Sequence, residues 1–94
     1  EISESPDGLL LRQNFPNPVS SGTTISWRLP ETGHVVLKII DYTGSEVKTL
    51  IDYILEKGEH TLYFYVSGLT SGIYFYQLQA DGKTRTQKMI VRQE

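Results

Sequence analysis

The chain has no cysteine. Without it no disulfide can staple the fold, no thiolate can serve as a nucleophile, and a zinc site would lack its sulfur ligands. Long apolar runs are missing too: stretches such as Leu9 to Leu11 fall far short of the about 20 residues a membrane-spanning helix needs. Charge of one sign is scarce, with 9 basic residues against 11 acidic ones and a net charge of -2. That balance builds no field suited to nucleic acid or an anionic bilayer, so neither nucleic-acid binding nor membrane insertion is expected. No signal-peptide pattern opens the chain, so the targeting segment of an exported parent is expected upstream. No stretch spaces its apolar residues as an amphipathic helix would. A chain of 94 residues is one small domain, of a size that buries only about 60 to 70% of its unfolded surface and has little stability to spare.

What the sequence does have is alternation with period two, punctuated roughly every ten residues by Gly, Pro, Asp and Asn. The opening "EISESPDG", residues 1–8, is polar and broken by Pro6 and Gly8; it reads as the tail of a linker from an upstream passenger, with the folded domain over residues 9–94. Seven strands are expected. The first covers about Leu9 to Phe15. The second, Thr23 to Leu29, turns Ile25, Trp27 and Leu29 inward; the third starts near His34 and buries Val35, Leu37 and Ile39. "DYTGSE" makes a tight turn in which Asp41 bonds local backbone and Gly44 takes a positive φ. A fourth strand, Glu46 to Ile51, has Val47 and Leu50 out of step, which predicts a bulge or an edge. His60 to Val66 turns Leu62, Phe64 and Val66 inward, and Ile73 to Ala80 does the same with Tyr74, Tyr76, Leu78 and Ala80. Asp81-Gly82 is a hairpin signal leading to Thr84 to Arg92, with Met89 and Val91 inside.

"LTSGIYFY", Leu69 to Tyr76, has the Leu, Gly and Tyr spacing that precedes a tyrosine corner, with Tyr74 as the corner residue. Two residues on, where antibody-type domains place a cysteine, stands Tyr76. The fold class expected is therefore all-β: an immunoglobulin-like antiparallel β-sandwich of about seven strands with no disulfide.

The entrance "NFPNPVSS" is stiff. Pro16 and Pro18 fix their own φ and push Phe15 and Asn17 toward extended conformations. With Asn14 to Pro18 come Leu29-Pro30 and Gly33-His34-Val35, then Asp41, Gly44 and Val47, then Ser67-Gly68-Leu69, Gly72 and Tyr74, and last a basic-apolar-basic strand from Lys88 through Met89, Ile90 and Val91 to Arg92. These five motifs in this order resemble the type A C-terminal sorting domain of cargo proteins of the type IX (Por) secretion system, over Asn14 to Arg92. The chain departs from that pattern at Arg92, where Lys is commoner, in the extension Gln93-Glu94, and in an apolar Ile54-Leu55-Glu56 loop.

The resemblance implies a non-catalytic signal at the end of a larger exported protein of a Gram-negative bacterium. Outer-membrane secretion machinery would read it, and a surface sortase would remove it as the passenger is attached at the cell surface. Recognition candidates are Pro16, Asn17, Pro18, Gly72, Tyr74, Lys88 and Arg92. A monomer is expected, with no cofactor and no metal.

The residues alone leave other readings open. The "PNP" segment is either a rigid transition into a strand or a recognition element. By parity Tyr63, Tyr65 and Phe75 point outward, as do Val36, Ile40 and Ile73; they form a contact patch or simply cover the strands by cross-strand pairing. A patch of Tyr63, Tyr65 and Phe75 would also suit a carbohydrate-binding module that stacks sugars, and the fold resembles the structural immunoglobulin-like domain of the flagellar hook-capping scaffold. His34 and His60 sit singly at strand starts, Asp41 and Glu46 suit a turn better than calcium, and no serine has an adjacent base.

Overall fold

The computed structural model describes residues 6–93; residues 1–5, most of the segment read as a linker, and Glu94 lie outside the described residues. Its strands are β1 (Leu10–Leu11), β2 (Gly22–Leu29), β3 (Gly33–Asp41), β4 (Glu46–Leu55), β5 (Gly58–Tyr65), β6 (Gly72–Ala80) and β7 (Lys83–Val91). They form a three-stranded sheet in the order β1-β2-β5 and a four-stranded sheet in the order β4-β3-β6-β7, with every named pair antiparallel. The second sheet has the G-F-C arrangement of an immunoglobulin sandwich with an added C′ strand, and the first has A, B and E without D. The fold class read from the sequence is the one observed.

Alternation does most of the work. Ile25, Trp27 and Leu29 from β2 meet Val35, Leu37 and Ile39 from β3 and Tyr76, Leu78, Met89 and Val91 from β6 and β7, all buried. Leu62, expected inside, is only half-buried because β5 ends its sheet. Four core residues have no alternating pattern around them: Leu9, Leu11, Val19 and Ile51.

Several strand boundaries differ from expectation, most of them by one or two residues. The opening strand is reduced to Leu10–Leu11, with one further bridge from Phe15 to Thr24, because the register slips between Leu11↔Trp27 and Phe15↔Thr24, where three residues stand opposite two; past Phe15, Pro16 and Pro18 have no N–H to continue a ladder. β4 runs on through Leu55, so Ile54 and Leu55 are strand rather than loop. The expected irregularity in β4 is present twice: Leu37 pairs with Ile51 and Lys38 with Thr49, skipping Leu50, and Ile39 pairs with Lys48 and Ile40 with Glu46, skipping Val47. β5 stops at Tyr65, yet Val66 remains fully buried and its N–H donates to the Ser21 carbonyl.

At the β3–β4 turn, one Asp41 carboxylate oxygen accepts bonds from the Thr43 N–H, the Thr43 hydroxyl and the Ser45 N–H, while Gly44 takes φ +93°. The Thr43 hydroxyl contributes most to holding the Asp41 carboxyl below its usual range.

Trp27 sits at the centre of the sandwich, 1% exposed, with the His60 ring stacked at 5.8 Å. Its Nε1 has no hydrogen-bond partner among the described residues, so its contribution is apolar burial. Trp27→Ala is expected to destabilise the domain by about 3 to 5 kcal/mol through the cavity it leaves. Denaturant unfolding followed by circular dichroism measures this; a variant as stable as the parent would contradict the placement of Trp27.

Candidate functional site

The residues Asn14 to Val19 cross from one sheet to the other. Phe15 exchanges both amide-carbonyl bonds with Thr24 at the margin of the first sheet, and four residues later Val19 pairs in parallel with Val91 at the margin of the second. Between them both X-Pro bonds, Phe15-Pro16 and Asn17-Pro18, are cis. Pro16 and Pro18 have no N–H that would need a partner in this crossing.

Two asparagines fasten the strap at its two ends. Asn14 is 2% exposed; its Nδ2 donates to the Thr23 hydroxyl at 2.9 Å and to the Pro16 carbonyl at 3.2 Å, and the Thr23 hydroxyl donates to the same carbonyl at 2.9 Å. Gln13 Nε2 donates to Asn14 Oδ1 at 2.6 Å and to the Lys88 carbonyl at 2.7 Å. Asn17 Oδ1 accepts the Ile90 N–H at 2.9 Å. Val19 completes the closure: its N–H donates to the Ile90 carbonyl and its carbonyl accepts the Arg92 N–H, each at 2.8 Å. The outer edge of β7 is thereby capped over Lys88 to Arg92, where an open strand edge would otherwise stand.

Beyond β7, Gln93 is tied back to the loop before β6. Its N–H donates to Ser71 Oγ at 2.9 Å, and its side-chain amide donates to the carbonyls of Val66 and Leu69. In the same loop the Tyr74 hydroxyl donates to the Thr70 carbonyl at 2.8 Å, the tyrosine corner expected from the spacing. Gly72, exposed, opens β6 beside it. Tyr76 is buried and its hydroxyl donates to the Arg12 carbonyl at 2.6 Å, so it ties the second sheet to the strand entering from the first. Burial pushes this hydroxyl far above its ordinary pKa.

The sequence-derived candidates therefore separate into groups. Pro16, Asn17 and Pro18 are exposed along the β7 edge, and Lys88 and Arg92 are exposed on the same strand end. Among the described residues no carboxylate pairs with Lys88 or Arg92. Lys88 is the register partner of Phe75, and Ile90 that of Ile73; Phe75 in turn is opposite Ile40. This outer face thus places half-buried Ile40, Phe75 and Ile90 and exposed Ile73 next to two cations. Gly72 and Tyr74 belong to the corner that supports it; Tyr74 is buried and faces the core.

The expected aromatic patch is divided. Tyr63 and Tyr65 do point outward, with ring centroids 4.9 Å apart at 77°, but they lie on β5 in the first sheet, while Phe75 lies on β6 in the second. Parity along a strand decides inward or outward; it does not say which side of the sandwich outward is. Tyr63 lies over Gly22, where a Cβ would come within 2.6 Å of its ring. The sugar-stacking arrangement of all three rings is not formed.

His34 pairs with Asp52 at 2.7 Å and His60 Nε2 meets the Glu56 carbonyl at 2.6 Å. Among the described residues no three His, Cys, Asp or Glu side chains converge.

The family model described as Secretion system C-terminal sorting domain matches residues 13–92. The chain belongs to that family. No curated protein matches the chain. A domain of this family is a C-terminal sorting signal for type IX secretion, recognised by that machinery as part of a larger passenger protein destined for the cell surface or extracellular space. The match begins at Gln13 and ends at Arg92, the two residues whose bonds lie at the ends of the strap-β7 closure in this sorting domain.

Sequence reasoning missed the work of Gln13, Thr23 and Gln93. Asn14 beside a Pro-Asn-Pro run was a visible signal for a capping amide, but nothing local marks Thr23 or Gln93, whose partners are distant in the chain. In the sorting domain, Asn14→Ala is expected to lower stability by about 1 to 3 kcal/mol, since it strips partners from buried groups. Asn17→Ala, which frees one exposed edge N–H, is expected to lower it by less than about 1 kcal/mol. Thermal melts of the two variants decide; the reverse order would contradict the roles given to the two amides.

Proposed function

We propose that the type IX machinery reads this domain at the outer face of β6 and β7, with Lys88 and Arg92 as the charges recognised and the Pro16–Pro18 strap as the element that holds them in place. The observation that carries the reading is the convergence, at one end of the β6–β7 pair, of a capped β7 edge, two exposed cations without a carboxylate partner among the described residues, and the apolar row of Ile73 and Phe75 on β6 with Ile90 on β7. Arg92 lies one residue past β7, but its N–H faces the strap as that of Ile90 does; it therefore continues the alternation that puts Lys88 and Ile90 on one face, and the apolar row beside them supplies the area that exposed charge alone does not. The domain itself does no chemistry in this reading. Residues 1–8 serve as linker and residues 9–94 as the transported unit, and a surface sortase of a Gram-negative envelope removes it after transit.

A reporter carrying an export signal and followed by residues 9–94 is expected to cross the outer membrane of a host that has the type IX apparatus. Deleting Lys88 to Glu94 removes the partners of Gln13, Asn17 and Val19 and should leave the reporter in the periplasm. Lys88→Gln with Arg92→Gln removes the charges while altering stability by well under about 1 kcal/mol, and it should also block export. Surface appearance of the truncated reporter would overturn the sorting role. Export by the double variant alone would overturn the charge recognition and leave the fold as what is read.

A further inference from the structure

The strap caps β7, and β4, at the far end of the same sheet, is blunted by two bulges and carries Glu46, Lys48 and Asp52. β5 is different. It ends the three-stranded sheet, pairs with β2 in unbroken register from Gly58↔Leu29 to Tyr65↔Gly22, and contains no proline, no lysine and a single carboxylate, Glu59, which Arg12 engages at 2.8 Å.

Hydrogen-bond alternation tells which of its backbone groups face away from β2. Phe15 and Thr24 exchange bonds on one side of β2, and Val66 bonds Ser21 on the other. Thr23, Ile25, Trp27 and Leu29 therefore bond toward β5, where their register partners are Phe64, Leu62, His60 and Gly58. The N–H and C=O groups of Glu59, Thr61, Tyr63 and Tyr65 are left pointing off the sheet, and all four residues are exposed. Across the sandwich, three strands lie opposite four. Tyr53 of β4 is in register with core-facing Val35 yet 54% exposed, so β4 overhangs a space beside β5, with half-buried Leu62 and Leu55 at its border.

We propose that this space takes one extended peptide strand, added antiparallel to β5 and bonded to Glu59, Thr61, Tyr63 and Tyr65, with apolar side chains on alternate residues turned under β4. An extended backbone is the partner that matches four outward donor and acceptor pairs at two-residue spacing. A second copy of the domain fits less well: pairing β5 with itself would bring the other copy's four-stranded sheet into the space that β4 occupies. The slot lies on the opposite margin of the sandwich from the strap and β7, so it is separate from the surface assigned above to the secretion machinery.

The test uses a synthetic eight-residue peptide alternating valine and threonine, with a lysine at each end for solubility, and a control peptide with proline at its central positions. Amide hydrogen exchange is followed residue by residue in the chain with each peptide. The alternating peptide is expected to slow exchange at Glu59, Thr61, Tyr63 and Tyr65 at least tenfold and to leave Leu62 and Phe64, already bonded to β2, unchanged. Thr61→Pro removes an outward N–H without touching a β2 bond, and should abolish that protection while its melting curve shows the fold retained. No protection at millimolar peptide, equal protection by the proline peptide, or self-association of the chain through β5 would each overturn the proposal.

Discussion

Four backbone groups on the outer edge of β7 are met by Gln13, Asn17 and Val19, and the arrangement of the sorting domain follows from that closure. β7 is bonded on one side to β6 and would otherwise present its far edge to water. The strap supplies the missing partner without being a strand itself: it leaves the first sheet at Phe15, holds its own shape through the buried Asn14 amide and the Thr23 hydroxyl, and arrives at Val91 in parallel. Because one segment pairs with both sheets, it joins them at the margin where β1 and β7 meet.

A disulfide is the usual staple between sheets of a small extracellular sandwich, and this chain has no cysteine with which to make one. Tyrosines take part of that duty. Tyr76 fills the interior and reaches across to the Arg12 carbonyl, while Tyr74 pins the loop before its own strand. At the N-terminal side Asp7 pairs with Arg85 at 2.5 Å, drawing the start of the described chain onto β7 as well. The last strand is therefore held from several directions, which suits a strand whose end presents Lys88 and Arg92.

Much of this was legible in the sequence. Alternation located the buried faces of β2, β3, β6 and β7, the out-of-step Val47 and Leu50 marked the two bulges, and the Leu-Gly-Tyr spacing gave the corner at Tyr74. Leu9, Leu11 and Val19 were harder, because a residue buried from a segment too short to alternate leaves no periodic trace. The strap was visible as stiff but not as a clasp: its amide partners, Thr23 and Ile90, lie 9 and 73 residues away along the chain. The division of Tyr63 and Tyr65 from Phe75 was hidden for a related reason, since alternation assigns a face within a strand while sheet membership depends on long-range pairing.

The most direct measurement of the closure is amide hydrogen exchange along β7 in the intact domain. Met89 and Val91 bond toward β6, whereas Ile90 and Arg92 bond only to the strap, through Asn17 and Val19. Thr86, whose N–H faces the same edge by the same alternation, lies before the strap begins. Ile90 and Arg92 are expected to exchange within about tenfold of Met89 and Val91 and far more slowly than Thr86, as members of one cooperative unit would. Exchange of Ile90 and Arg92 at the rate of Thr86, with Met89 and Val91 still protected, would show the strap open and contradict its place as the element that holds the final strand.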